Sequence, residues 1–270
     1  MIPKHLTALK KDAVPLETLD GKQIDVWELD LPADNSFLSN WAVSFRQNYC
    51  ADHEIDTLRS GTGLSRAEYL TQLVFPDQKI APGPSIRSGD FAELLVTDYV
   101  EHVLGYWVAR GKYKQKAAPN ESVKGADIFG FKQIDLGTPS VGDTLIVFES
   151  KAKCTGSYSD QLQEAIKHSS KDNLRIAITL NATKQRLTLA NEHANALRVE
   201  RFQYLPDRPY IYRSGAAAIL SDAAYDAAEI VAKTATSGHQ NAANLELIVI
   251  RGKELMKLVH VLYERAANEA

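Results

Sequence analysis

The sequence predicts an α/β (α+β) chain in which a mixed central sheet is flanked by helices, with a smaller α+β region ahead of it. Three observations predict this class. Apolar residues recur at helical spacing through residues 88–105. Three strand-like runs follow, "YWVARGKY", "GADIFGFKQI" and "DTLIVFESKAK". A helical pattern and a further apolar run, "LRIAITLN", come next, and helices interleaved with strands build a sheet covered on its faces.

Residues 1–80 mix short strand patterns, such as "IDVWELDL" at 24–31, with a helical pattern in "SRAEYLTQLVF" at 65–75. "PDQKIAPGPSIRSGD", with its prolines and glycines, interrupts both periodicities and sets an expected boundary between an N-terminal region, 1–80, and a second region, 81–270. In the helix that follows, Phe91, Leu95, Tyr99 and Val103 share one face; Ser88 is the expected cap and Gly105 the expected stop. "GTPSVGD" reads as the turn between the second and third strands. Asp160 and Gln163 have capping-box spacing ahead of the helix "QLQEAIKHSS", and residues 174–181 are expected to be a buried strand. "SGAAAILSDAAYDAAEIVAKTA" is Ala-rich, as helices often are. "TKQRLTLANEHANALRVERF" reads as a helix, and "NLELIVIRGKELMKLVHVLYERAA" as a strand followed by a C-terminal helix.

With 270 residues, 44% of them hydrophobic and 24% charged, the chain has enough apolar material for a sizeable core. No apolar run reaches the roughly 18–20 residues that a membrane span requires, and the N-terminus has no signal-type apolar stretch, so a cytoplasmic protein with no membrane partner is expected. Cys50 and Cys154 are far apart and lack metal-ligand spacing, which points to two free thiols. A net charge of -3 argues against a large DNA-gripping surface, since such affinity comes mainly from neutralised phosphates. Locally, Arg110, Lys112, Lys114, Lys116, Lys124 and Lys132 form a basic run that is either a DNA contact or a solvated strand and loop.

Chemistry concentrates in the second and third strands. Asp127 lies in "GADIFGF", and Glu149 and Lys151 lie in "LIVFESKAK", where desolvated charges require partners. Residues two apart in a strand share a face, so Glu149 and Lys151 point together, and Asp127 reaches them if the two strands pair. Glu93 falls at the edge of the apolar arc of its helix and offers a further carboxylate. Carboxylate oxygens suit Mg²⁺, and a neighbouring lysine can orient or deprotonate an attacking water. An E-x-K triplet alone arises about once by chance in a chain of this length, so its strand context carries the reading. The alternative is a structural ion-pair network at a sheet edge. Lys153 continues the same face; the seven histidines show no ligand spacing, and Trp27, Trp41 and Trp107 are expected to pack.

The order of helix with Glu93, "GAD", "ESK", helix and strand, over about residues 85–181, resembles the PD-(D/E)xK nucleases. The resemblance implies a restriction-endonuclease-like core that cuts phosphodiester bonds with Mg²⁺, or with Mn²⁺ as a substitute. Asp127, Glu149, Glu93 and the carbonyl of Ser150 would hold the metal, and Lys151 would position the water. Gln161 or Gln163 would contact phosphate, beside a basic set of Lys112, Lys114, Lys116, Lys124 and Lys153. Ala126 stands where that family often has Pro. A narrower likeness, through "FRQNYCADHEIDTLRSG", "EYLTQLVFP", "RSGDFAELL", "ESK" and "LIVIRGKELMKLVHVLYERA", is similar to HamA of the Hachiman antiphage system. It implies a DNA substrate and a superfamily 2 helicase (HamB-like) partner. This chain has no G-x-x-x-x-G-K-[ST] phosphate loop of its own; "SGTGLS" lacks the lysine. The second reading kept open is a non-catalytic nuclease-fold subunit that senses DNA or regulates the helicase.

Overall fold

The computed structural model describes residues 2–121, 128–170 and 173–270. Strands β1 (Leu9–Lys11), β2 (Leu16–Glu17) and β3 (Gln23–Leu29) come first, then helices α1 (Asn35–Gln47), α2 (Asp52–Arg59), α3 (Arg66–Tyr69) and α4 (Gly83–Asp98). Strands β4 (Trp107–Val108), β5 (Ile128–Lys132) and β6 (Thr144–Lys153) are followed by α5 (Gln161–Ser169), α6 (Asn173–Leu189) and α7 (His193–Glu200). The chain finishes with β7 (Ile211–Ser221), α8 (Ala227–Lys233), β8 (Leu245–Gly252) and α9 (Leu255–Asn268).

One mixed sheet in the order β1-β3-β8-β7-β6-β5-β4 organises these elements, with β2 beside β3. Strands β3, β8, β7 and β6 run parallel, and β5 returns antiparallel to β6. Parallel neighbours need crossovers, and helices on both faces supply them. On the first face Trp41 and Phe45 of α1, Phe91 and Leu95 of α4, and Leu258 and Leu262 of α9 cover Ile146, Phe148 and Ile248. The second face is covered in two patches. Leu162 and Ile166 of α5 pack with Ala216, Ala218 and Val249, while Ile176 and Leu180 of α6 pack with Phe129, Leu145 and Val147. Segments before and after residue 80 therefore share one sheet and one core.

Several expectations are corrected. Residues 174–181 belong to helix α6 and are not a strand; the strand beside β6 is β7. The inward residues Ile176, Leu180, Thr183 and Leu187 show the helical period only over the whole of α6, and an eight-residue apolar window cannot separate helix from strand. The Ala-rich run is strand β7 in its first half. Ala216, Ala217 and Ala218 are fully buried between β6 and β8, and a Cβ at Gly215 would lie 2.3 Å from the Phe148 ring, so small side chains are required there. Helix α4 starts at Gly83, ahead of the expected Ser88, whose hydroxyl instead donates to the Ser85 carbonyl within the helix. Pro84 is tolerated in this first turn because its missing N–H would have no helical partner. Gly105, at φ +73°, ends the helical segment as expected. "YWVARGKY" contributes only the two residues of β4, and residues 183–202 are the end of α6 plus the separate helix α7. The Asp160 side chain makes no capping bond; Gln163 Oε1 accepts from the Ala235 N–H at 2.8 Å.

Candidate functional site

The "ESK" triplet lies in the last part of β6, and pairing fixes where its side chains go. Glu149 and Lys151 stand beside Ala216 and Ala218 of β7, on the face covered by α5; Ser150 stands beside Ala217, on the face covered by α4. Alternation thus puts the acid and the lysine together, as expected. Glu149 is 4% exposed, and Lys151 Nζ donates to its Oε1 at 2.7 Å. His168, near the end of α5, brings Nδ1 to 3.7 Å from the same oxygen. That distance is beyond a hydrogen bond but within electrostatic reach, and Nε2 of the ring is 3.8 Å from Glu164 Oε2. No histidine spacing signals this position, because the neighbour is supplied by packing of α5 on β6.

The two strands named by the sequence are neighbours: Ile128, the first residue of β5, pairs with Phe148, the residue before Glu149. Asp127 and Lys124 lie outside the described residues. Glu93 sits on α4, which packs on the opposite face of the sheet from Glu149 and Lys151, and Lys112 Nζ donates to its Oε1 at 2.5 Å. Gln161 Nε2 donates to Ser159 Oγ at 3.1 Å, and Lys153 is partly exposed at the end of β6.

The basic run differs from its expected form as an open DNA contact. Lys112 pairs with Glu93, Lys114 with Glu54 at 2.8 Å, and Lys116 with Asp90. The Lys116–Asp90 pair is buried, Asp90 also accepts from Tyr49 Oη at 2.7 Å, and the Lys116 ammonium lies over the Tyr49 and Tyr113 rings. Burial pushes the Asp90 carboxyl up despite its lysine partner. These alternating lysines therefore fasten the 112–116 segment to α4 and α2, a function that spacing alone does not reveal.

Asp98, Glu101 and His102 also bring ligand-type atoms together. Arg110 pairs with both carboxylates, and His5, stacked on Trp41, bonds Asp98 at 2.7 Å, so this cluster is an ion-pair network between the N-terminus and α4. Between α4 and α6 lies a cavity of about 370 Å³, walled by Leu94, Val108, Ile128 and Ile178, with Arg186 and Lys112 among its polar residues. It was invisible in the sequence because one wall is the helix read as a strand.

Among the described residues, no helix is long and apolar enough to cross a membrane. Comparison with curated proteins gives no match. The family model for HamA matches residues 4–266, nearly the whole chain, from ahead of β1 into α9, and the chain belongs to the HamA family of Hachiman antiphage defence components.

Proposed function

We propose that this chain is a Mg²⁺-dependent DNA nuclease that works with a superfamily 2 helicase in antiphage defence. The observation that carries the reading is the buried Glu149 carboxylate with the Lys151 ammonium 2.7 Å away, both on one face at the end of β6 where β5 begins beside it. An acceptor-only carboxylate at 4% exposure is a hard oxygen donor, the chemistry Mg²⁺ prefers, so the described residue fits the metal. Glu149 would hold it, with Asp127 and the Ser150 carbonyl completing the set by resemblance, and Mn²⁺ would substitute. Bound there, the cation would supply charge stabilisation to the phosphate and its leaving oxygen. Lys151, within reach of the same carboxylate, would orient the attacking water and hold its proton.

A net charge of -3 fits delivery of DNA by a partner, because a chain with no overall basic surplus has no long-range attraction for a phosphate backbone. This sequence contains no G-x-x-x-x-G-K-[ST] phosphate loop, which agrees with ATP-driven work lying in the proposed partner. The test is Mg²⁺-dependent cleavage of linear, circular and single-stranded DNA by the purified chain, with and without the helicase. Cleavage is expected in Mg²⁺, none in EDTA, and none from the Glu149→Ala, Lys151→Ala double variant. Equal cutting by the double variant would overturn the assignment. Intact antiphage defence in cells carrying it would favour a non-catalytic sensing or regulatory subunit.

A further inference from the structure

We propose that the cavity between α4 and α6 binds one unpaired nucleotide of a DNA strand, with its phosphate on Arg186 and its base against the apolar wall. The proposal takes its ligand from the nuclease reading and adds where the strand is held. Arg186 motivates it. Its Nη2 donates to the Ala109 carbonyl at 2.9 Å, its buried Nε has no hydrogen-bond partner, and it carries no ion pair among the described residues. Burial also lowers its proton affinity, an effect that the more distant Glu192 carboxylate offsets only in part, which marks a partly desolvated guanidinium with no acid in ion-pair contact among the described residues. Its neighbours on the cavity wall differ: Arg110 is held by Asp98 and Glu101, and Lys112 by Glu93. A desolvated cation left in this state is costly, and a phosphate in the cavity would offset that cost through a charge-assisted fork.

The rest of the wall matches the rest of a nucleotide. Leu94, Val108, Ile128 and Ile178 form an apolar surface for a base, and the buried Asn48 and Thr183 add polar residues to the lining. Ile178 is 59% exposed at this wall and Leu174, one turn earlier, is 69% exposed, so the helix presents an apolar strip that water covers poorly. At about 370 Å³ the space falls at the lower end of the roughly 300–1,000 Å³ typical of small-ligand pockets. It accommodates one nucleotide, not a base pair with two backbones. Position ties the cavity to the candidate chemistry: Phe129 in its wall pairs with Val147, which precedes Glu149 by two residues on β6 and shares its face of the sheet.

Binding of a fluorescently labelled oligo-dT strand to the full chain in EDTA tests this without requiring cleavage. Arg186→Gln removes the guanidinium. Ala182→Trp, at an exposed cavity position on α6, blocks the space without touching the core. Each is expected to weaken binding about tenfold or more, as loss of a charge-assisted hydrogen bond does, while Lys257→Ala, at an exposed site on α9, leaves it unchanged. Melting temperatures near the native value would show that both variants fold. Native affinity in both overturns the proposal. Displacement by free dTMP as effective as by unlabelled strand, or equally tight binding of duplex with the same sensitivity, overturns the strand assignment. In the Glu149→Ala, Lys151→Ala chain strand binding should persist; binding by the native chain with no cleavage in Mg²⁺, with or without the helicase, would remove the nuclease reading and leave the cavity assignment standing.

Discussion

Asp98 illustrates how a single residue's surroundings set its behaviour. Burial alone pushes its carboxyl up, but the His5 hydrogen bond and the Arg110 guanidinium outweigh that and leave it below the ordinary carboxylate range. A depressed carboxyl stabilises the fold above the ordinary value, and that stabilisation is lost as pH falls through the folded-state value. The native chain should therefore lose melting temperature on acidification below about pH 4 more steeply than Asp98→Asn. Parallel acid limbs in the two proteins would refute this. The cysteines make a second case: burial pushes the Cys154 thiol up to about 12 and raises Cys50 as well. Both thiols should react slowly with a thiol reagent at pH 8 in the native chain and rapidly after denaturation, since the thiolate is the reactive form.

At the scale of elements, legibility followed local pattern. Strand β8 and helix α9 were readable because a compact apolar run and a long amphipathic stretch adjoin, and β6 was readable because β-branched and aromatic residues follow the "GTPSVGD" turn. Residues 174–181 and the Ala-rich run were misread because their state is decided by neighbours. Helix α6 hides its period behind exposed Leu174 and Ile178, and β7 uses alanines and a glycine because β6 and β8 crowd it. The helical assignment of α6 makes a contrast that a strand cannot, because residues 178 and 180 would share one face of a strand. Leu180→Ala should cost about 2–5 kcal/mol in denaturant unfolding, while Ile178→Ala should stay within about 0.5 kcal/mol. Gly215→Ala drives a methyl into the Phe148 ring and should cost about 1–3 kcal/mol, read in the same way.

For the whole molecule, one sheet gathers strands from both ends of the chain and sets Glu149 and Lys151 together on β6. Part of this site was legible: the acid and lysine at strand spacing, and the adjacency of β5 and β6. His168 and Arg186 were not, since each owes its position to a helix packed from elsewhere. The same long-range logic holds the start of β6 to the end of α7, where buried Arg201 donates to Asp143 at 2.8 Å and to three backbone carbonyls. Arg201→Met strands the Asp143 charge and should cost about 3–5 kcal/mol in unfolding experiments. The central claim concerns the Glu149–Lys151 pair, and the most direct measurement is single-turnover DNA cleavage in Mg²⁺ by the chain with the proposed helicase partner, native against Glu149→Gln. The account predicts a rate at least about 10²-fold lower for the variant, in the range lost when a positioned catalytic group is removed; equal rates in two equally folded proteins would contradict it.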